Sequence, residues 1–62
     1  MKRWKMPQWM EPYRDLIVYT GGQSVEDLMN GAYSDDGFAA VYRWSVRAQV
    51  RLLTKLHNGG IL

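Results

Sequence analysis

A long C-terminal stretch with helical spacing constrains the fold more than any other feature of the chain. Positions 38–57 contain neither glycine nor proline, and the sequence HNGG follows from position 57. Glycine and asparagine accept the left-handed conformation with which many helices end. We therefore predict one long helix that starts near Asp36 or Gly37, runs to about His57, and ends on Asn58 or Gly59 as its left-handed cap.

A first short helix is predicted to begin at Pro12. Proline suits a first helical turn because its missing N–H would have no partner there. The following positions have the spacing of one helical face: Tyr13, Leu16, Ile17 and Thr20. Gly21 and Gly22 would then end this helix in the left-handed conformation.

A second short helix is predicted to start in the sequence SVED, with Ser24 as its cap. Ser24 can accept a hydrogen bond from the backbone N–H three residues on, and Asp27 can reach back, which makes a variant of the capping box. Val25, Leu28 and Met29 would form the buried side of this helix.

No strand competes with these helices. The stretch LIVYT at 16–20 contains β-branched and aromatic residues, but it continues the helical spacing and has no partner strand. We predict a single all-α domain in which two short helices pack on one long C-terminal helix. Residues 1–10 would form a basic N-terminal tail and residues 11–62 the helical core.

The chain carries more apolar surface than a domain of this size buries alone. It has 62 residues, 47% of them hydrophobic, and no cysteine that could form a stabilising disulfide. On the long helix the apolar residues cover an arc of roughly 200° at 100° per residue. We predict a self-associating helical bundle, a homo-oligomer whose interface includes Val46, Gln49, Val50 and Leu53.

Two polar residues, Ser45 and Gln49, lie near the centre of this apolar arc. In one interpretation they are partly exposed or bonded locally to backbone. In the other, Gln49 meets a polar group across a symmetric helix pair and fixes its register, as buried polar residues do in some coiled coils.

Basic residues recur at intervals of four on the long helix with no acidic residue among them: Arg43, Arg47, Arg51 and Lys55. Like charges one turn apart repel by roughly 0.2–0.5 kcal/mol in an isolated helix, so we expect a counter-charge. It could come from the chain's own acidic residues, from a partner protein or from phosphates. With Trp44, these four basic residues are the predicted binding residues for protein or phosphate.

Recognition of nucleic acid has some support from this pattern. Trp44 lies between Arg43 and Arg47, and modules that bind nucleic acid combine basic side chains with aromatics that stack on bases. Against it, the formal net charge is only +2, six acidic residues lie between 11 and 36, and no named motif fits the chain. A nucleic acid or nucleotide is therefore the alternative to a protein partner.

The sequence offers little for catalysis or metal binding. Ser24 is explained as a helix cap, and His57 lies near a helix end, where it favours the helix dipole. Gly21 and Gly22 lack the lysine and following Ser or Thr of a phosphate loop. We expect a protein that is not an enzyme and that has no cofactor and no metal.

The N-terminal segment lacks the continuous apolar core of a secretory signal, and no segment approaches the roughly 20 apolar residues of a membrane span. We therefore expect a soluble cytoplasmic protein without a membrane partner.

The run WMEPYRDLIVYTGGQSVEDLMN at 9–30, with the ending LLTKLHNGG, resembles short uncharacterised proteins encoded by bacteriophages. The resemblance covers about half of the chain and implies no site residues. It implies a class of small phage proteins that bind and redirect or disable a host component, including host defence systems, without catalysis. The expected function is thus a phage-type accessory protein that binds a host or defence protein in the host cytoplasm. The alternative is a phosphate-recognising binder, either a nucleic-acid accessory protein or an oligomer that sequesters a nucleotide signal.

Overall fold

The computed structural model describes residues 3–31 and 37–62, and these residues form helices and connecting turns without a strand. A 3₁₀ helix, Gln8–Leu16, comes first, followed by the short α-helix α1, Val25–Met29, and the long α-helix α2, Gly37–Asn58. Helix α1 packs against α2. The prediction of a mainly helical fold is confirmed. None of the helices in the described part of the chain has the length and apolar character needed to cross a membrane.

The first helix differs from its prediction in both type and position. It is a 3₁₀ helix that contains Pro12 and ends at Leu16, with Ile17 already in extended geometry. Proline removes one N–H and clashes with a preceding carbonyl in an α-helix interior, so it disfavours a regular α-helix here. The predicted continuation of the helix to Thr20 was wrong, because residues 17–20 are not helical. Val18 and Tyr19 instead contact Gln49 and Tyr42 of α2.

Gly21 and Gly22 do have left-handed backbones, with φ of +64° and +80°, but they do not end a helix. The Gln23 N–H donates to the Thr20 carbonyl over 3.1 Å, which closes a four-residue turn. Positive φ at both central positions is the pattern of a type I′ turn, which glycine adopts without steric cost. The two glycines therefore reverse the chain between residues 17–20 and helix α1.

Helix α1 begins as predicted. Ser24 is the N-cap, and its side-chain oxygen accepts a hydrogen bond of 3.1 Å from the Asp27 N–H. Val25 and Leu28 are buried, and Met29 is partly buried against them. The capping signal thus located a helix of only five residues.

The end of α2 is a Schellman motif. The Ile61 N–H donates to the Leu56 carbonyl over 2.9 Å, and the Gly60 N–H donates to the His57 carbonyl over 3.1 Å. Gly60 has the left-handed backbone, with φ of +78°. The prediction of Asn58 or Gly59 as the left-handed cap was therefore wrong by one or two residues. Asp36, the other predicted start of this helix, lies outside the described residues.

The core lies where α1, the 3₁₀ helix and one side of α2 meet. Its buried side chains are Met10, Ile17, Val25, Leu28, Ala40, Val46 and Val50. Trp4, Met6 and Trp9 pack around this core from the N-terminal segment.

The N-terminal segment contacts both the C-terminal end of α1 and helix α2. The Trp4 N–H donates to Asn30 Oδ1 over 2.6 Å, and Asn30 Nδ2 donates back to the Trp4 carbonyl over 3.1 Å. Trp9 stacks on His57, with ring centroids 3.9 Å apart and an angle of 6° between the planes. The first helix thus starts within residues 1–10, which were predicted as a tail, and Met10 is completely buried.

Candidate partner-binding surface

Arg14 forms ion pairs with two acidic residues at once. Its guanidinium contacts Glu11 at 3.0 and 3.1 Å and Glu26 at 2.9 and 2.6 Å. The hydrogen bonds from Arg14 lower the pKa of both carboxyl groups, and the two carboxylates in turn raise the pKa of Arg14. Glu11 and Glu26, two acidic residues that could have neutralised the basic residues of α2, are therefore paired with Arg14 instead. Arg14 is the one basic residue between positions 11 and 36.

This cluster makes stability depend on pH in the acidic range. A carboxyl group whose pKa is lower in the folded chain stabilises the fold above its unfolded pKa, and this contribution is lost as pH falls through the folded value. For Glu11 and Glu26, the loss should begin near their ordinary pKa of 4.5 and continue below it. We expect Arg14→Gln to flatten the fall in melting temperature between about pH 5 and pH 2.5. Parallel curves for the variant and the wild type would contradict this assignment.

The predicted basic residues of α2 do not share one environment. Arg47, Arg51 and Lys55 are exposed, and none of them forms an ion pair with a residue of 3–31 or 37–62. Arg43 is only partly exposed, and its guanidinium lies beside Gly31. Three of the four predicted basic residues are thus available on the outer side of α2.

Large apolar side chains lie on the same side of the helix. Trp44 is 65% exposed, Leu52 is 57% exposed and Val41 is 41% exposed. Their spacing of three and eight residues keeps them in one stripe along a helix of 3.6 residues per turn, next to Arg51 and Lys55. We call this surface the basic face and define it by six residues: Val41, Trp44, Arg47, Arg51, Leu52 and Lys55.

A groove adjoins the basic face between α1 and α2. It has a volume of about 360 Å³ and is lined by Met29, Arg47, Val50 and Arg51. The arginines are one helical turn apart, so two guanidinium groups border an apolar lining that comes from both helices. Met29 was predicted only as a core residue, and its place beside the arginines depends on how α1 docks.

The residues predicted for self-association face inward in a single chain. Val46 is completely buried, Val50 is buried, and Leu53 packs against the same core. An interface at Val46 and Val50 would require these side chains to leave the core. Much of the apolar arc of α2 is thus buried in the core of a single chain.

Gln49 is engaged within the chain as well. Its Oε1 accepts from the Val18 N–H over 2.9 Å, and its Nε2 donates to the Val18 carbonyl over 2.6 Å. Nε2 also donates to Ser45 Oγ over 3.1 Å. This arrangement agrees with the first interpretation of Ser45 and Gln49, in which they bond to backbone within the chain. The bond is not local, however, because Val18 is 31 residues from Gln49.

The described part of the chain holds no group of three or more His, Asp or Glu side chains placed to bind a metal ion. His57 is stacked on Trp9, and the Ser24 hydroxyl caps α1. Each of these side chains therefore has a structural role.

Comparison of the chain with protein-family models, with curated proteins and with solved structures found no match. The choice between partners therefore depends on the charge and apolar character of the basic face.

Proposed function

We propose that the protein acts by binding an acidic surface of another protein through the basic face, without catalysis. The observation that carries the proposal is the set of exposed cations without an ion pair in the described chain, Arg47, Arg51 and Lys55, beside the exposed Trp44 and Leu52. Tryptophan and arginine are enriched in the residues that contribute most to protein interfaces.

The aliphatic members of the basic face favour a protein over a phosphate ligand. Leu52 and Val41 gain from an apolar partner, whereas phosphates and sugars offer them little. A protein surface can supply carboxylates for the arginines and apolar side chains for the aliphatic stripe together. The resemblance to small phage proteins supports a host or defence protein as the partner and the host cytoplasm as its location.

A second candidate function is recognition of phosphate at the groove. Two arginines one turn apart can each bind a phosphate through two parallel hydrogen bonds, and Trp44 adds an aromatic ring nearby. This candidate would make the protein an accessory factor for nucleic acid or a binder of a nucleotide signal.

Charge reversal at Arg47 separates these functions. We expect Arg47→Glu to weaken binding of a protein captured from a bacterial lysate by tenfold or more, mainly through slower association. The matched control is Lys5→Glu, which reverses an exposed charge in the N-terminal segment and should leave the affinity unchanged. Affinity and association rate are measured by surface plasmon resonance with the purified partner.

The competing outcomes are distinct. Binding that is lost on nuclease treatment and falls steeply with salt would support phosphate recognition, because counterion release gives that dependence. An equal loss of affinity in the Lys5 variant would indicate a nonspecific charge effect and contradict the basic face as the site.

A further inference from the structure

A second exposed apolar surface lies beside the aliphatic residues of the basic face, on the side of α2 away from Arg47. It consists of Leu16, Val18, Tyr19 and Phe38, which are 67%, 63%, 57% and 75% exposed. The ring of Tyr42 joins its aromatic members, because its centroid is 5.1 Å from that of Tyr19 and 6.5 Å from that of Phe38. We call these four residues the neutral patch.

The neutral patch is held in place by backbone hydrogen bonds at Val18 and by ring contacts with Tyr42. The Gln49 amide binds both backbone groups of Val18. Tyr19 has φ of +62°, a conformation that residues other than glycine rarely adopt, and its ring packs edge-on against Tyr42. A surface that is already ordered loses less conformational entropy on binding than a mobile one.

Charge distinguishes the neutral patch from the basic face. Segments 16–24 and 37–42, which supply the neutral patch and Tyr42, contain no charged residue, although the chain has 8 basic and 6 acidic residues. Phe38 and Arg47 are nine residues apart on α2, a rotation that places them about 180° apart around the helix axis. Contacts made by Phe38 therefore leave Arg47 accessible.

We propose that the neutral patch packs against the neutral patch of a second copy in a symmetric dimer. A two-fold interface brings the same surface of each copy together, so it must be self-complementary. The basic face would place arginines against arginines in such a pairing, whereas the neutral patch brings together apolar and aromatic groups. Interfaces between identical subunits are also more apolar than those of transient complexes.

This interface differs from the one predicted at Val46 and Val50, whose side chains fill the core of each copy. A standard stable interface covers about 800 Å² on each partner, which is more than four side chains supply. The dimer is accordingly weak, and its population rises with protein concentration.

Sedimentation equilibrium over a concentration range of about 5–500 µM tests the proposal. We expect a reversible monomer–dimer equilibrium and at least a tenfold weaker association for Phe38→Glu and for Val18→Glu. A glutamate at position 38 lies in the first turn of α2, where it favours the helix dipole, so the fold should persist. Ile61→Glu is the control, because Ile61 is an exposed aliphatic residue at the other end of α2 and outside the neutral patch.

Disulfide cross-linking provides a second measurement, since the natural chain has no cysteine. Phe38→Cys should form a covalent dimer under mild oxidation much faster than Arg47→Cys on the opposite side of α2. A monomer at all concentrations would overturn the proposal. A dimer that tolerates both glutamates, or that cross-links equally well through position 47, would overturn it too.

Discussion

Gly21→Val is expected to lower the free energy of unfolding by about 3 kcal/mol, from two costs that add. A residue with a Cβ in the left-handed conformation costs roughly 1–2 kcal/mol, and Gly21 has φ of +64°. A Cβ at this position would also overlap the ring of Tyr42, and forcing extra atoms into a packed site costs about 1–3 kcal/mol. Urea denaturation followed by circular dichroism measures the loss.

Gly22→Val is the matched control for this substitution. Gly22 has φ of +80°, but a Cβ there would meet no atom within 4 Å. It should therefore cost only the conformational part, and the difference between the two variants isolates the contact with Tyr42. Equal losses would show that the Tyr42 ring moves aside at little cost.

Met10→Ala is expected to destabilise the fold by about 3 kcal/mol, because it leaves a cavity at a completely buried side chain. A domain of this length has a total stability of about 3–9 kcal/mol, so the variant would lose a large share of it. Thermal and urea denaturation of the variant and the wild type measure the difference. A variant that is largely unfolded in buffer also meets the expectation.

The control for Met10 lies in the same 3₁₀ helix. Leu16 is 67% exposed, so Leu16→Ala should change the stability by no more than about 0.5 kcal/mol. If both variants were equally mild, the N-terminal segment would not pack on the core as described.

Local signals in the sequence were sufficient for α1 and α2. The cap at Ser24 depends on residues three apart, and the long helix depends on an uninterrupted run between turn-forming residues, so neither needs information from distant parts of the chain. The exact end of α2 was missed because HNGG offers several residues for the left-handed cap. The Schellman hydrogen bonds select Gly60 among them.

The first helix and the N-terminal segment could not be predicted in the same way. Val18 is held by Gln49, which is 31 residues away, and Trp4 is held by Asn30, which is 26 residues away. Spacing within LIVYT suits a helical face, but these distant partners hold a non-helical backbone there and draw the N-terminal segment onto the core. Tertiary contacts thus override local preference where the local signal is weak.

The basic face was also predicted only in part, because helical spacing is local whereas the groove and the buried side of α2 depend on tertiary contacts. The interval of four placed the cations on one side of α2, and three of them are exposed there. The groove at Met29 depends on how α1 docks, and the inward position of Val46 and Val50 depends on which side of a broad apolar arc the other helices cover. Helical spacing alone leaves that choice open.

The contact between Gln49 and Val18 also bears on how the chain stays out of aggregates. LIVYT is rich in residues that favour β-strands, and three of its side chains are mostly exposed: Leu16, Val18 and Tyr19. Open backbone N–H and C=O groups in such a segment are a template for another strand, and stacking of that kind leads to fibrils. The Gln49 amide donates to and accepts from Val18 as a neighbouring strand would. In the folded chain a single side chain thereby occupies both backbone groups of Val18, in the middle of this segment.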